Sequence, residues 1–117
     1  MSLWDRVRGG PGGGRVRRAS TEDTEYLRAW TAARVGVEAY VEPRTMVTET
    51  TVVLVAQDGE WTRRRVNGPP AARKLARSLR IPIYDVQVLG YPKRMRDYDA
   101  RQRVLRDRAR RRDLGGS

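Results

Sequence analysis

The sequence predicts an α+β class single small domain in the order α-β-β-β-α-β, a four-stranded sheet with two core helices. Three observations carry this expectation. Apolar residues recur at helical spacing around Leu27 and again around Leu75. Alternating or continuous apolar runs of strand length lie between and after those segments. Apolar density is confined to residues 20–92, so the expected organisation is a disordered Gly/Arg-rich arm (1–19), a core (20–92) and a basic helical tail (93–117).

Taken in order, the arm contains Gly-Gly-Pro-Gly-Gly-Gly at 9–14, which gives up too much backbone entropy to hold regular structure. A phosphate-cradling glycine loop would need a strand before it and Gly-Lys-Ser/Thr after it, and neither is there. Ser20-Thr21-Glu22-Asp23 fits a capping box, and Tyr26, Trp30 and Ala33, widened by Leu27, form the stripe of a first helix. Gly36 is its expected stop. Residues Val37 to Glu42 alternate as a half-buried strand, and Thr50 to Ala56 is apolar on both faces, as suits the middle of a sheet.

Asp58-Gly59 predicts a two-residue hairpin that would pair Ala56 with Trp61, Leu54 with Arg63 and Val52 with Arg65. Asn67-Gly68-Pro69-Pro70 opens a second helix with Ala72, Leu75, Ala76 and Leu79 inward and Arg73, Lys74, Arg77 and Arg80 outward. Ile81 to Leu89 reads as a fourth strand, broken or at an edge because of Pro82. From Lys93 to Arg112 the chain is helix-compatible, with a thin stripe of Met95, Tyr98, Leu105 and Ala109, and is expected to dock only in part and to leave Leu114 to Ser117 free.

Charge narrows the function. The arm holds five Arg against Asp5, the tail ten Lys/Arg against four Asp, and the core between them ten basic against nine acidic residues, so most of the net charge of +11 sits at the two ends. Cationic extensions on a balanced core suit a polyanionic partner, because they neutralise phosphates without disturbing the packing. The competing explanation is compositional: only Lys74 and Lys93 are lysine, and such arginine bias follows from a GC-rich genome whatever the function. The absence of Cys and His removes disulfides, zinc–thiolate sites and the commonest general base, leaving only oxygen-rich Mg²⁺ or Mn²⁺ sites for metal chemistry. No apolar run is long enough for a signal peptide or membrane span, and the expectation is a cytoplasmic protein with no membrane partner.

Three groups are candidates for nucleic-acid contact. Trp61, Arg63 and Arg65 share one strand face, where an indole can stack on a base and guanidinium groups can hold phosphates. Against this stands simple packing, with Arg stems lying over Val52 and Leu54. Arg73, Lys74 and Arg77 on the second helix would extend that surface if the two lie side by side. Lys93, Arg94 and Arg96 alternate with Tyr91 and Tyr98 where core meets tail.

The element order, with an Asp-Gly hairpin between the second and third strands, resembles the PD-(D/E)XK nuclease-like core over residues 21–89. Leu54 to Gly59 looks like the hairpin of its small members, and Ile83-Tyr84-Asp85-Val86 looks like their last core strand. That family binds Mg²⁺ through an acid on the second strand and an acid-x-Lys pair on the third. Here Val53 stands at the first position and an Arg run at the second. The resemblance therefore implies a scaffold without catalysis that kept nucleic-acid binding, with Glu25 and Glu49 the acids to check as displaced metal ligands. Double-stranded-RNA-binding domains share the α-β-β-β-α part, and the composition is similar to that of small proteins of high-GC actinobacteria.

The expectation is a non-catalytic nucleic-acid or ribonucleoprotein-associated protein, with no catalytic residues, cofactor or metal assigned. One alternative is a protein-interaction module whose basic tail meets an acidic protein surface. The other is a divergent or degenerate Mg²⁺-dependent nuclease-like enzyme.

Overall fold

The computed structural model describes residues 21–115; the expectations for the arm, for Ser20 in the capping box and for Gly116-Ser117 lie outside the described residues. Helix α1 (Thr21–Ala32) opens with Glu22 and Asp23 against its positive N-terminal end. Its buried stripe is Asp23, Leu27 and Trp30, whereas Tyr26 lies at the rim and Ala33 is exposed. The stripe is thus rotated by part of a turn from the one expected. At the rim the Tyr26 hydroxyl reaches Thr62 Oγ1, 2.8 Å away, so its polar tip is satisfied outside the buried stripe.

The sheet contains β1 (Glu38–Glu42), β2 (Thr51–Val55), β3 (Trp61–Arg65) and β4 (Ile83–Asp85), in the spatial order β3-β2-β1-β4. The first three strands form an antiparallel meander, and β4 joins the far edge parallel to β1. β2 is internal, as its two-sided apolar run requires, and Val53, Leu54 and Val55 are fully buried.

The hairpin differs from the two-residue turn expected. Gly59 N–H bonds to the Ala56 carbonyl at 2.9 Å, Ala56 N–H bonds to the Glu60 carbonyl at 2.8 Å, and Gly59 takes φ +95°. This is a three-residue loop, a tight turn followed by a glycine at positive φ. Trp61 therefore pairs with Val55, Thr62 with Leu54 and Arg63 with Val53. A one-residue change of register moves a strand's whole set of neighbours to the other face. Trp61, Arg63 and Arg65 do share a face, but it is that of Val53 and Val55 rather than of Val52 and Leu54.

Helix α2 (Gly68–Leu79) packs its expected stripe of Ala72, Leu75 and Ala76 on the face formed by Val52 and Leu54, beside α1. It ends on Arg80 in the left-handed conformation (φ 58°), whose N–H and that of Ile81 close back on the last turn of the helix.

The long fourth strand expected over Ile81 to Leu89 is corrected to three residues. After Ile83–Asp85 the Asp85 carboxylate accepts a hydrogen bond from the Gln87 N–H at 2.7 Å and starts the short helix α3 (Val86–Leu89). Pro82 precedes an edge strand, where its missing N–H costs least.

Helix α4 (Lys93–Gly115) runs on from Pro92. Its first turns cover the second sheet face, where Met95 joins Tyr40, Val53 and Val55 in a smaller cluster with Trp61 and Tyr84 at its margin. No helix among the described residues is long and apolar enough to cross a membrane.

Candidate nucleic-acid interface

The expected platform on β3 is committed to holding the fold together. The Arg63 guanidinium forms a bidentate pair with Glu42, Nε to Oε1 at 2.7 Å and Nη2 to Oε2 at 2.9 Å. Thr51 Oγ1 donates to the same carboxylate at 2.6 Å, and the Tyr91 hydroxyl donates to Oε2. Burial raises the Glu42 carboxyl, but the hydrogen bonds from Arg63, Thr51 and Tyr91 outweigh it and hold the pKa at about 2. Burial and then the Glu42 carboxylate push Tyr91 up.

Trp61 is occupied in a similar way. Its indole Nε1–H donates to Asp99 of α4 at 2.8 Å, and the Arg63 guanidinium lies 5.2 Å from the ring centroid. An indole fixed along its edge and flanked by a paired arginine is not an open stacking platform. Of the three β3 residues singled out, Arg65 alone makes neither an ion pair nor a side-chain hydrogen bond among the described residues; it lines a shallow groove with Asp23, Glu49 and Thr51.

The residues where core meets tail divide. Arg94 is anchored, donating to Glu38 Oε1 at 2.6 Å and to the Ala56 carbonyl at 3.0 Å. Glu38 also accepts from the Tyr40 hydroxyl at 3.0 Å, and burial together with that bond pushes Tyr40 up. Lys93 pairs with Asp97 at 2.9 Å, which lowers the Asp97 carboxyl. Arg96 is exposed and reaches only the Tyr91 carbonyl, at 3.2 Å.

Arg73, Lys74 and Arg77 are exposed on α2 and make no ion pair among the described residues. They do not continue the β3 surface. α2 packs on the Val52/Leu54 face and Arg63 projects from the Val53 face, so the sheet lies between them.

The largest cationic element lies further along the chain than the residues singled out. Beyond Arg101, which donates to the Asp58 carbonyl at 2.8 Å, no side chain of α4 is bonded to the rest of the domain among the described residues. Fourteen residues, Gln102 to Gly115, project from the core with six arginines (Arg103, Arg106, Arg108, Arg110, Arg111 and Arg112) against Asp107 and Asp113. All six are exposed, and only Arg110 is ion-paired among the described residues, to Asp107 at 2.8 Å. At 1.5 Å per residue the overhang is about 21 Å long. The signal that could have found it is the loss of large apolar residues from the helical pattern after Tyr98, save for Val104, Leu105 and Leu114, while helix-forming arginines continue.

Glu25 is exposed on α1 and Glu49 lies in the loop before β2. Among the described residues no group of three or more Asp, Glu, His or Cys side chains converges as metal ligands would. No family model, curated protein or solved structure matches the chain.

Proposed function

We propose that this is a non-catalytic nucleic-acid-binding protein that holds its partner by the phosphate backbone, with the overhanging half of α4 as the principal contact. The observation that supports this most is the overhang: six exposed arginines on a stretch of helix whose side chains bond to nothing else in the domain among the described residues. In water such a segment is costly. Arg106 and Arg110, and Arg108 and Arg112, are like-charge neighbours one turn apart, and a polar helix of this length has little to hold it. A polyanion removes the repulsion and gains the release of its own counterions.

The role of the β3 face changes accordingly. Trp61 and Arg63 position the helix, through Asp99 and through the Glu42–Tyr91 cluster at its root.

The test is binding of the full chain and of a chain lacking residues 102–117 to duplex and single-stranded oligonucleotides over a salt series. Each phosphate that the shortened chain leaves unneutralised flattens the log–log slope by about 0.9 on duplex DNA or about 0.7 on single strands. The truncated chain is expected to bind more weakly and with the flatter slope. Equal slopes would remove the overhang from the mechanism. Absence of any binding at about 50 mM salt would leave an acidic protein surface as the partner, for which a pull-down insensitive to nuclease is the signature.

A further inference from the structure

Single cations without an ion pair among the described residues, such as Arg28, Arg44, Arg65 and Arg96, are scattered, but two stretches concentrate them. One is the α4 overhang. The other is the stretch Gly68 to Arg80, which carries Arg73, Lys74, Arg77 and Arg80 and no acidic residue. All four are exposed, and none is ion-paired among the described residues. At about 100° per residue Arg73, Lys74 and Arg77 fall within one third of the helix circumference, opposite the stripe of Ala72, Leu75 and Ala76 that faces the sheet. α4 is rooted on the other sheet face, through Met95 against Val53 and Val55.

Three other arginines are held in internal pairs. Arg34 is paired with Glu60, Arg63 with Glu42 and Arg94 with Glu38, all between 2.6 and 2.8 Å. The two basic surfaces are rooted on opposite faces of the sheet, whose thickness lies between those roots. The molecule measures 55 × 33 × 29 Å, and a duplex with a persistence length of about 50 nm does not fold around a body of that size at modest cost.

We propose that one copy of this chain tethers two separate B-form DNA duplexes, one on the α4 overhang and one on the outer face of α2. The inference rests on the nucleic-acid reading above and adds to it a second site and a choice of partner. A duplex is favoured over a single strand because neither Gly68 to Arg80 nor Gln102 to Gly115 contains an aromatic residue on which a base could stack. B-form is favoured over A-form by the way the overhang carries its charge. Arg103, Arg106 and Arg110 form one ridge and Arg108 and Arg112 another about half a turn away, with Gln102, Leu105, Ala109 and Asp113 between them on one side and Arg111 between them on the other. Two such ridges need phosphates on both flanks of the helix, which a major groove about 12 Å wide supplies. The deep, narrow major groove of A-form RNA does not admit the helix.

The experiment uses the full chain, with one duplex DNA immobilised on beads and a second, fluorescent duplex in solution, at about 50 mM salt. The intact protein is expected to retain the fluorescent duplex on the beads. The triple variant Arg73→Ala/Lys74→Ala/Arg77→Ala, its fold checked by circular dichroism, is expected to bind the immobilised duplex and to retain the fluorescent one at least about tenfold less. Retention by the triple variant equal to that of the intact protein would overturn the proposal, since the tether would then be a dimer of overhangs. Binding of one duplex without retention of the second by the intact protein would also overturn it. So would preference for duplex RNA or single-stranded DNA, and in these three cases the nucleic-acid reading would stand. Failure to bind any nucleic acid would remove both.

Discussion

Glu42 concentrates more of the fold's electrostatics than any other single side chain among the described residues. It has a pKa of about 2 against an ordinary value of 4.5, so its pairing stabilises the protein at neutral pH and the contribution is lost as pH falls from about 4.5 to about 2. After allowance for solvent around the partly exposed Arg63, that contribution is on the order of 1–2 kcal/mol. Replacing Glu42 with Gln is expected to flatten the acid limb of a stability–pH curve measured by urea denaturation. Gly59 shows a backbone constraint. It sits at φ +95°, and an added Cβ would lie 2.0 Å from the Arg94 carbonyl oxygen and 2.8 Å from Tyr98 Cβ. Gly59→Ala is expected to cost more than about 2 kcal/mol and to loosen the root of α4, read as faster amide exchange at Met95. Arg80 is the converse case. A side-chain-bearing residue at φ 58° is strained where glycine would not be, so Arg80→Gly is expected to raise stability by about 0.5–1 kcal/mol in thermal or chemical unfolding.

Among the elements, α2 was the most legible from sequence, because its stripe and its Pro-Pro start are local signals and the sheet it covers simply accepts them. The hairpin was legible only as a hairpin. Asp58-Gly59 marks a turn, but loop length is decided by where Gly59 must take positive φ beneath α4, a tertiary condition with no local sign. The strand expected through Leu89 failed for a local reason that was present, an Asp at position 85 able to cap a helix. α4 carries a prediction of its own. Its overhang is held by little besides backbone hydrogen bonding and a few opposite-charge neighbours, such as Asp99 with Arg103 and Asp107 with Arg111 one turn apart. Helical signal in circular dichroism is therefore expected to rise on adding short duplex DNA, and the rise is expected to vanish in the chain lacking residues 102–117.

For the molecule as a whole, sequence reasoning located the cations but not their partners. Arg63 with Glu42, Arg94 with Glu38 and Trp61 with Asp99 join residues 21 to 56 positions apart, so nothing near them in the chain distinguishes a structural arginine from one facing outward. What remained readable was the excess: a core that balances its own charge and a tail that does not. The topology has one more consequence, in the order of assembly. β1 gains β2 from the next strand in the chain, but its other neighbour, β4, arrives only after α2 has been made. Until then the β1 edge, including the Ala39 N–H that finally bonds to the Pro82 carbonyl at 2.9 Å, is an open template for a foreign strand. A nascent chain stalled before Ile83 is therefore the aggregation-prone species. In the finished protein β4 is only three residues long and lies at the edge of the sheet, so the Ala39 amide is expected to exchange with deuterium faster than that of Val53, held midway along the antiparallel pair.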